Sequence, residues 1–303
     1  MSNSEVAIIL GYPFGLSLFL LLAIWRPWRK GKPLASWALP VVVALAYPTG
    51  RWAISSLPSF PPPTADEWLV FFAVATGFWG AVQSRFPALP YLAKQVASLG
   101  FISLLFWLMA YSRIAPGTYL VLVLGVFTAT LLVDRAARLI AAPVLLWSMT
   151  AVAAASSPIL LMGSSFRLAL LAATLSAITA AAATLTTFSF EGRRLDLTPF
   201  VLFFCLLLAG LFVSGVRFAD APLGSALIIA ASLTAPFIFI KNTRAGKNTR
   251  AVWLWTGLRL TAVLLIASLA VGYTYWDRQF SRSASPTSGD AEEVSDYDDP
   301  YSW

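Results

Sequence analysis

Long apolar runs alternate with short polar segments along almost the whole chain. A membrane helix needs about 20 consecutive, mainly apolar residues, and runs near this length recur up to residue 276. The pattern predicts ten spans, at 6–25, 35–50, 67–84, 96–112, 117–133, 139–157, 168–189, 198–216, 223–240 and 252–275. The second run is short and contains Pro40 and Pro48, so it could be a re-entrant or interfacial segment instead.

These runs predict an all-α, polytopic helical membrane protein with short loops. The strands of a membrane β-barrel alternate polar and apolar residues over about ten positions, and these runs do not alternate. We expect one transmembrane helical domain over residues 1–277. Residues 278–303 form a polar, acidic tail, which we expect to be disordered.

The loop charges predict an orientation. Lys and Arg are concentrated in the loops on one side of the predicted bundle, at 26–32, 85–94, 135–138, 193–194 and 241–250. The loops on the other side carry single arginines. Because cytoplasmic loops are enriched in Lys and Arg, both termini are predicted to face outward. We expect the protein in a cell membrane, the cytoplasmic membrane of a bacterium, with the lipid bilayer as its first partner.

Composition narrows the chemistry. The chain is 58% hydrophobic and 12% charged, whereas a soluble domain carries about 25% charged residues. It has no histidine and a single cysteine, Cys205, which argues against haem, zinc and thiol–metal sites. The net charge of +7 reports topology here, so we predict no nucleic-acid partner, no metal site and no cofactor.

The carboxylates point away from catalysis. Each Asp and Glu lies in a predicted loop, at a span end or in a terminal segment. Midplane chemistry needs a base, a nucleophile or metal ligands, so we expect a protein that is not an enzyme. Outside the terminal segments, the carboxylates predicted to face outward are Asp66, Glu67 and Asp220. For the adjacent pair the pattern Thr64-Ala-Asp-Glu67 favours helix capping over acid–base work.

Arg259 is the one charge inside an apolar run, "AVWLWTGLRLTAVLLIASLAVGYTYW". It can snorkel to the headgroups or pair with Asp134, Glu191 or Asp196. A charge at this depth is also a default candidate for function. The alternative is therefore a substrate contact or gate at the cytoplasmic end.

Hydroxyl side chains in the fifth to seventh spans could line a cavity for a neutral or weakly polar ligand. The candidates are Thr128, Thr130, Ser148, Thr150, Thr174, Ser176 and Thr179. The competing interpretation is structural, because Ser and Thr in membrane helices commonly bond to their own i−4 carbonyls or to a neighbouring helix.

Small residues predict close helix packing. They form faces in the first, third and seventh spans, at Gly11, Gly15, Gly77, Ala169, Ala173, Ala177 and Ala181. The seventh span is therefore expected to be central. The eighth, "PFVLFFCLLLAGLFV", is bulky on all sides, and we expect it to face lipid or a partner protein.

Three functions remain open. The first is a carrier or flippase-like permease for a neutral or lipophilic substrate. The second is a non-catalytic accessory subunit that contacts other membrane subunits through the eighth span and the tail. The third, a membrane enzyme, is disfavoured by the missing catalytic groups.

Overall fold

The computed structural model describes residues 3–25, 35–54, 58–86, 88–110, 115–188, 195–235 and 249–284. Within these ranges the chain is all-helical, with ten α-helices and no strand. The helices are α1 (Asn3–Trp25), α2 (Ala38–Ile54), α3 (Ala65–Arg85), α4 (Tyr91–Ala110), α5 (Pro116–Leu139), α6 (Ala142–Met162), α7 (Phe166–Phe188), α8 (Thr198–Phe218), α9 (Leu223–Ser232) and α10 (Thr249–Ala284).

Seven of these helices, α3 to α8 and α10, are long and apolar enough to cross a membrane. The prediction of a helical, membrane-embedded protein is therefore confirmed. The other apolar stretches, Leu10–Trp25, Ala38–Ile54 and Leu223–Ser232, are shorter. The count of ten spans and the outward termini stay predictions.

Several helix boundaries differ from the predicted ones. Helix α2 continues past residue 50 and carries Arg51 in its last turn, so this arginine is not a loop residue. Helix α9 has only 10 residues, and the end of the predicted ninth span lies outside the described residues. Helix α10 has 36 residues and runs to Ala284, so the first part of the predicted tail is helical. Residues 285–303 lie outside the described part.

The eighth span is the most buried membrane helix, contrary to the expectation that it faces lipid or a partner protein. In its most apolar stretch 83% of the residues are buried, compared with 17% in α5. Phe200, Phe203 and Phe204 are among its fully buried side chains. Lipid tails are as apolar as leucine side chains, so a helix that is bulky on all sides is equally suited to a protein interior.

Helix α7 packs most extensively against α6 and also contacts α1 and α2. Of its alanine row, Ala169 and Ala181 are buried, and Ala173 and Ala177 are partly buried. Small side chains along a helix allow neighbouring backbones to approach closely, which fits the position of α7 between several neighbours.

The predicted small faces of α1 and α3 differ in what they contact. Gly77 of α3 lies against α2, where an added Cβ would be 2.8 Å from the carbonyl oxygen of Pro40 and would overlap Ala44. Gly11 and Gly15 of α1 are exposed, and an added Cβ at either meets no described atom within 4 Å. The close helix approach predicted at these two glycines is therefore not seen in the described part of the chain.

Candidate functional site

One wide cleft opens at the end of the bundle that the loop charges predict to face outward. We call it the outer cleft, and its volume is about 610 Å³. It is formed by the segment before α3, the first turns of α3 and α7, and the last turns of α4 and α8. Its polar lining includes Asp66, Ser165, Arg167 and Ser214, and its apolar lining includes Trp68, Leu108, Met109 and Phe218. Ligand pockets typically have about 300–1,000 Å³ and a mainly apolar lining with a few polar groups.

At one wall of the outer cleft three charged residues contact one another. We call them the ion cluster: Arg51, Asp66 and Glu67. The Arg51 side chain is 3% exposed, and its Nη2 lies 3.3 Å from Glu67 Oε1 and 3.6 Å from Asp66 Oδ2. A guanidinium between two carboxylates offsets their mutual repulsion. One arginine thus holds two adjacent acidic residues at the edge of the outer cleft.

This geometry corrects the capping-box interpretation. Helix α3 does begin after Thr64, which has an extended backbone, but no side-chain cap hydrogen bond is present there. Glu67 accepts a hydrogen bond from Arg51 instead. The Asp66 and Glu67 carboxylates both approach the same Nη2 atom of Arg51.

Leu69 of α3, Leu105 of α4 and Gly210 of α8 meet at a contact that we call the apolar floor. It lies below the outer cleft, since Leu105 and Gly210 are one helical turn deeper than the cleft-lining Met109 and Ser214. Both leucines are fully buried. A Cβ added to Gly210 would overlap Leu69 and lie 3.3 Å from Leu105. The absence of a side chain at residue 210 therefore lets three helices meet below the cleft.

A second, much smaller space lies at the opposite ends of α3, α4 and α8, and we call it the inner chamber. Its volume is about 20 Å³, roughly enough for one water molecule. Its lining is polar and includes Gln83, Lys94, Ser98, Thr130, Asp134, Arg138 and Thr198. Arg138 donates to Asp134 at 2.8 Å and also lies 5.2 Å from the centre of the Tyr91 ring. The two cavities therefore lie at opposite ends of the same three helices.

The predicted hydroxyl residues do not form one group. Ser148, Thr150 and Thr179 are buried and donate to the carbonyls four residues before them. Thr150 also donates to the Thr179 hydroxyl at 3.1 Å, and Ser176 donates to the Thr150 carbonyl at 3.2 Å. These contacts join α6 to α7.

The other predicted hydroxyls lie elsewhere. Thr128 is exposed on α5, and Thr130 donates to Val126 while lining the inner chamber. Thr174 is buried against Gly50 of α2. Of the predicted hydroxyls, only Thr130 lines either of the two cavities.

Arg259 is buried on α10, the helix that packs mainly against α6 and α9. It lines neither the outer cleft nor the inner chamber. Its predicted partner Asp134 pairs with Arg138, and Asp196 accepts from the backbone N–H of Thr198. Glu191 lies outside the described residues.

Sequence reasoning missed Arg51, Arg138 and Ser214 as site residues. An i, i+4 pair of opposite charge, Asp134 and Arg138, was a readable signal. Arg51 and Ser214 carried none, because their roles depend on contacts between different helices.

No protein-family model, curated protein or solved structure matches this chain, so the argument for function rests on the two cavities.

Proposed function

We propose that this chain is a carrier or flippase-like permease in which α3, α4 and α8 form the transport path. The observation that carries this proposal is the pairing of two cavities along these helices. One end opens into the outer cleft of about 610 Å³, and the other narrows to the inner chamber of about 20 Å³. In this proposal the path is wide on one side of the apolar floor and narrow on the other.

The closure at the inner end is weak enough to open. In their pair the Arg138 side chain is 49% exposed and the Asp134 side chain is 9% exposed. An i, i+4 ion pair contributes about 0.2–0.5 kcal/mol, and a cation–π contact at an exposed site contributes about 0.5–1 kcal/mol. Alternating access needs interactions that break and re-form at modest cost as helices shift against each other. Asp134 and Arg138 both lie on α5, and their pair holds the Arg138 guanidinium 5.2 Å from the ring centre of Tyr91 on α4. The contact of α5 with α4 at Tyr91 is the one that can break and re-form.

The native Cys205 offers a direct test. It is the single cysteine of the chain and is buried on α8, with the Thr130 side chain within hydrogen-bonding reach of its thiol. In vesicles of known orientation, Asp134→Asn should increase the labelling of Cys205 by a membrane-impermeant maleimide added on the inner side. Loss of an interaction worth about 1 kcal/mol raises the open population about fivefold.

Asp196→Asn is the matched control, since Asp196 accepts only a local backbone hydrogen bond in the described structure. Equal labelling of the wild type, Asp134→Asn and Asp196→Asn would contradict both the inner gate and the alternating-access mechanism. Transport itself is measured with acyl-labelled fluorescent phospholipids in liposomes containing the full chain. Dithionite bleaching of inner-leaflet fluorescence above that of empty liposomes is the expected result.

The number of spans and the orientation of the termini are part of the same proposal. The chain would cross a bacterial cytoplasmic membrane with ten spans and both termini on the outer side, as the loop charges favour. An epitope tag at either end should then be digested by protease added to intact cells after removal of the cell wall. Protection of either tag contradicts this orientation.

A second candidate, the accessory subunit, is favoured by the length of α10. Its 36 residues extend about 54 Å at 1.5 Å per residue, well beyond a hydrocarbon core of about 30 Å. A projecting helix end could hold another subunit. Isolation in mild detergent followed by mass measurement separates the two, because stoichiometric partner chains support the subunit and a homogeneous preparation supports the carrier.

A further inference from the structure

The outer cleft carries charges of opposite sign on different helices. Asp66, in the first turn of α3, and Arg167, in the first turn of α7, both line it. Behind Asp66, the ion cluster adds Arg51 and Glu67, so the four formal charges cancel. Because Arg51 is shared by Asp66 and Glu67, the ion cluster keeps one negative charge, and Arg167 adds one positive charge. A ligand with a single charge would balance only one of these two.

Ser214 adds a hydrogen-bonding group that the protein leaves unused. It is 2% exposed and lines the outer cleft, yet its hydroxyl has no hydrogen-bond partner among the described residues. Buried hydroxyls in this protein usually bond to a carbonyl of their own helix, as Ser148 and Ser156 do. Because an unmade buried hydrogen bond is costly, a polar ligand group is the natural partner of Ser214.

An apolar surface leads away from the outer cleft along α4. Leu108 lines the cleft and is 37% exposed, and Leu104, one turn below it, is 50% exposed. Residues four apart lie on the same face of a helix. The adjacent Trp107 is also exposed. This strip connects the polar lining with the lipid-facing side of the bundle, so a ligand could keep its tails in the bilayer.

We infer that the outer cleft binds a phospholipid with a zwitterionic headgroup, its ammonium at Asp66 and its phosphate at Arg167. This assignment names the substrate class of the proposed carrier and rests on that function. Arginine donates to phosphate oxygens through a planar fork. Ser214 supplies a further hydrogen bond.

The test is binding of acyl-matched lipids to the purified full chain in detergent, followed by native mass spectrometry. Phosphatidylethanolamine should bind about tenfold more tightly than phosphatidylglycerol, which lacks the ammonium group. It should bind more tightly still than diacylglycerol, which lacks both charged groups. Asp66→Asn should abolish the preference over phosphatidylglycerol. Arg167→Gln should weaken both phospholipids and leave diacylglycerol unchanged.

Matched controls lie at the same end of the bundle. Arg217 and Asp220 are exposed and do not line the outer cleft, so Arg217→Gln and Asp220→Asn should bind lipids as the wild type does. Because Asp66→Asn also alters the ion cluster, Ser214→Ala is the cleaner variant. It should keep the wild-type melting temperature and bind phosphatidylethanolamine severalfold more weakly.

The outcomes separate the ligand from the function. Equal binding of the three lipids, or equal effects of the cleft and control variants, overturns the zwitterionic ligand. Transport of phosphatidylglycerol in preference to phosphatidylethanolamine also overturns it and leaves the carrier intact. Selective binding of phosphatidylethanolamine without transport supports the ligand and contradicts the carrier.

Discussion

The two ends of the α3–α4–α8 path hold their charges in different ways. At the outer end Arg51 is 3% exposed and contacts two carboxylates, whereas at the inner end Arg138 is 49% exposed and contacts one. A buried guanidinium cannot leave its partners without a large desolvation penalty, whereas an exposed one exchanges its partner for water. The outer end is therefore a fixed frame around an open cleft, and the inner end is a closure that can break.

The largest expected effect is that of removing the fixed charge. Arg51→Met leaves Asp66 and Glu67 adjacent, mostly buried and without their counter-charge, which should lower the free energy of unfolding by about 3–5 kcal/mol. The measurement is unfolding in mixed detergent–SDS micelles. The triple variant that adds Asp66→Asn and Glu67→Gln should regain most of the loss. A loss no larger than that of Arg138→Met would contradict the contrast between the two ends.

The apolar floor gives the next largest effect. Leu69→Ala removes a fully buried side chain from the contact with Leu105 and Gly210, and we expect a loss of about 2–4 kcal/mol. The smaller side chain would also deepen the outer cleft toward Cys205, so maleimide added from the outer side should label Cys205 faster. Leu120→Ala, at an exposed position of α5, is the control. Similar losses in the two variants would show that this contact does not close the cleft.

A smaller effect tests how firmly α3 packs against α2. Gly77→Ala places a methyl group against Ala44 and the Pro40 carbonyl, and such overpacking costs about 1–3 kcal/mol. Gly11→Ala, where the added methyl meets no described atom, should be neutral or stabilising by up to about 1 kcal/mol. Thermal unfolding of both variants in the same detergent compares them. Equal melting temperatures would mean that α2 and α3 separate readily.

The smallest expected effect is at the inner pair itself. Arg138→Gln should lower the free energy of unfolding by less than about 1 kcal/mol, because half of the Arg138 side chain is in contact with solvent. The same variant should nevertheless increase inner-side labelling of Cys205. A large loss of stability with unchanged labelling would reverse the roles assigned to the two ends.

Sequence reasoning located helices better than it located their neighbours. Hydropathy placed α3, α7 and α8 within two residues of their observed ends, because the bilayer fixes the length of an apolar run. It placed α8 toward lipid or a partner protein, although α8 is the most buried membrane helix. Hydropathy cannot separate these alternatives, since both surroundings are apolar.

The same limit applies to the sites. Sequence reasoning selected Ser148, Thr150 and Thr179 because they are polar residues in apolar runs. Their hydroxyls, however, donate to backbone carbonyls of their own helices. Arg51, Asp66 and Ser214 looked ordinary, because they fall near span ends where polar residues are expected. Their interest comes from the packing of α3 against α2 and α8, which the apolar runs do not specify.

The sequence by itself determined that the chain is an all-helical membrane protein, because long apolar runs with internally hydrogen-bonded backbones are stable in a bilayer. Its charges also led to a predicted orientation. Only the tertiary structure decided which helices surround a cleft, which leucines close it, and which arginine is buried beside two carboxylates. Those features depend on contacts between helices, and side chains of equal polarity can be directed to lipid, to protein or to a cavity.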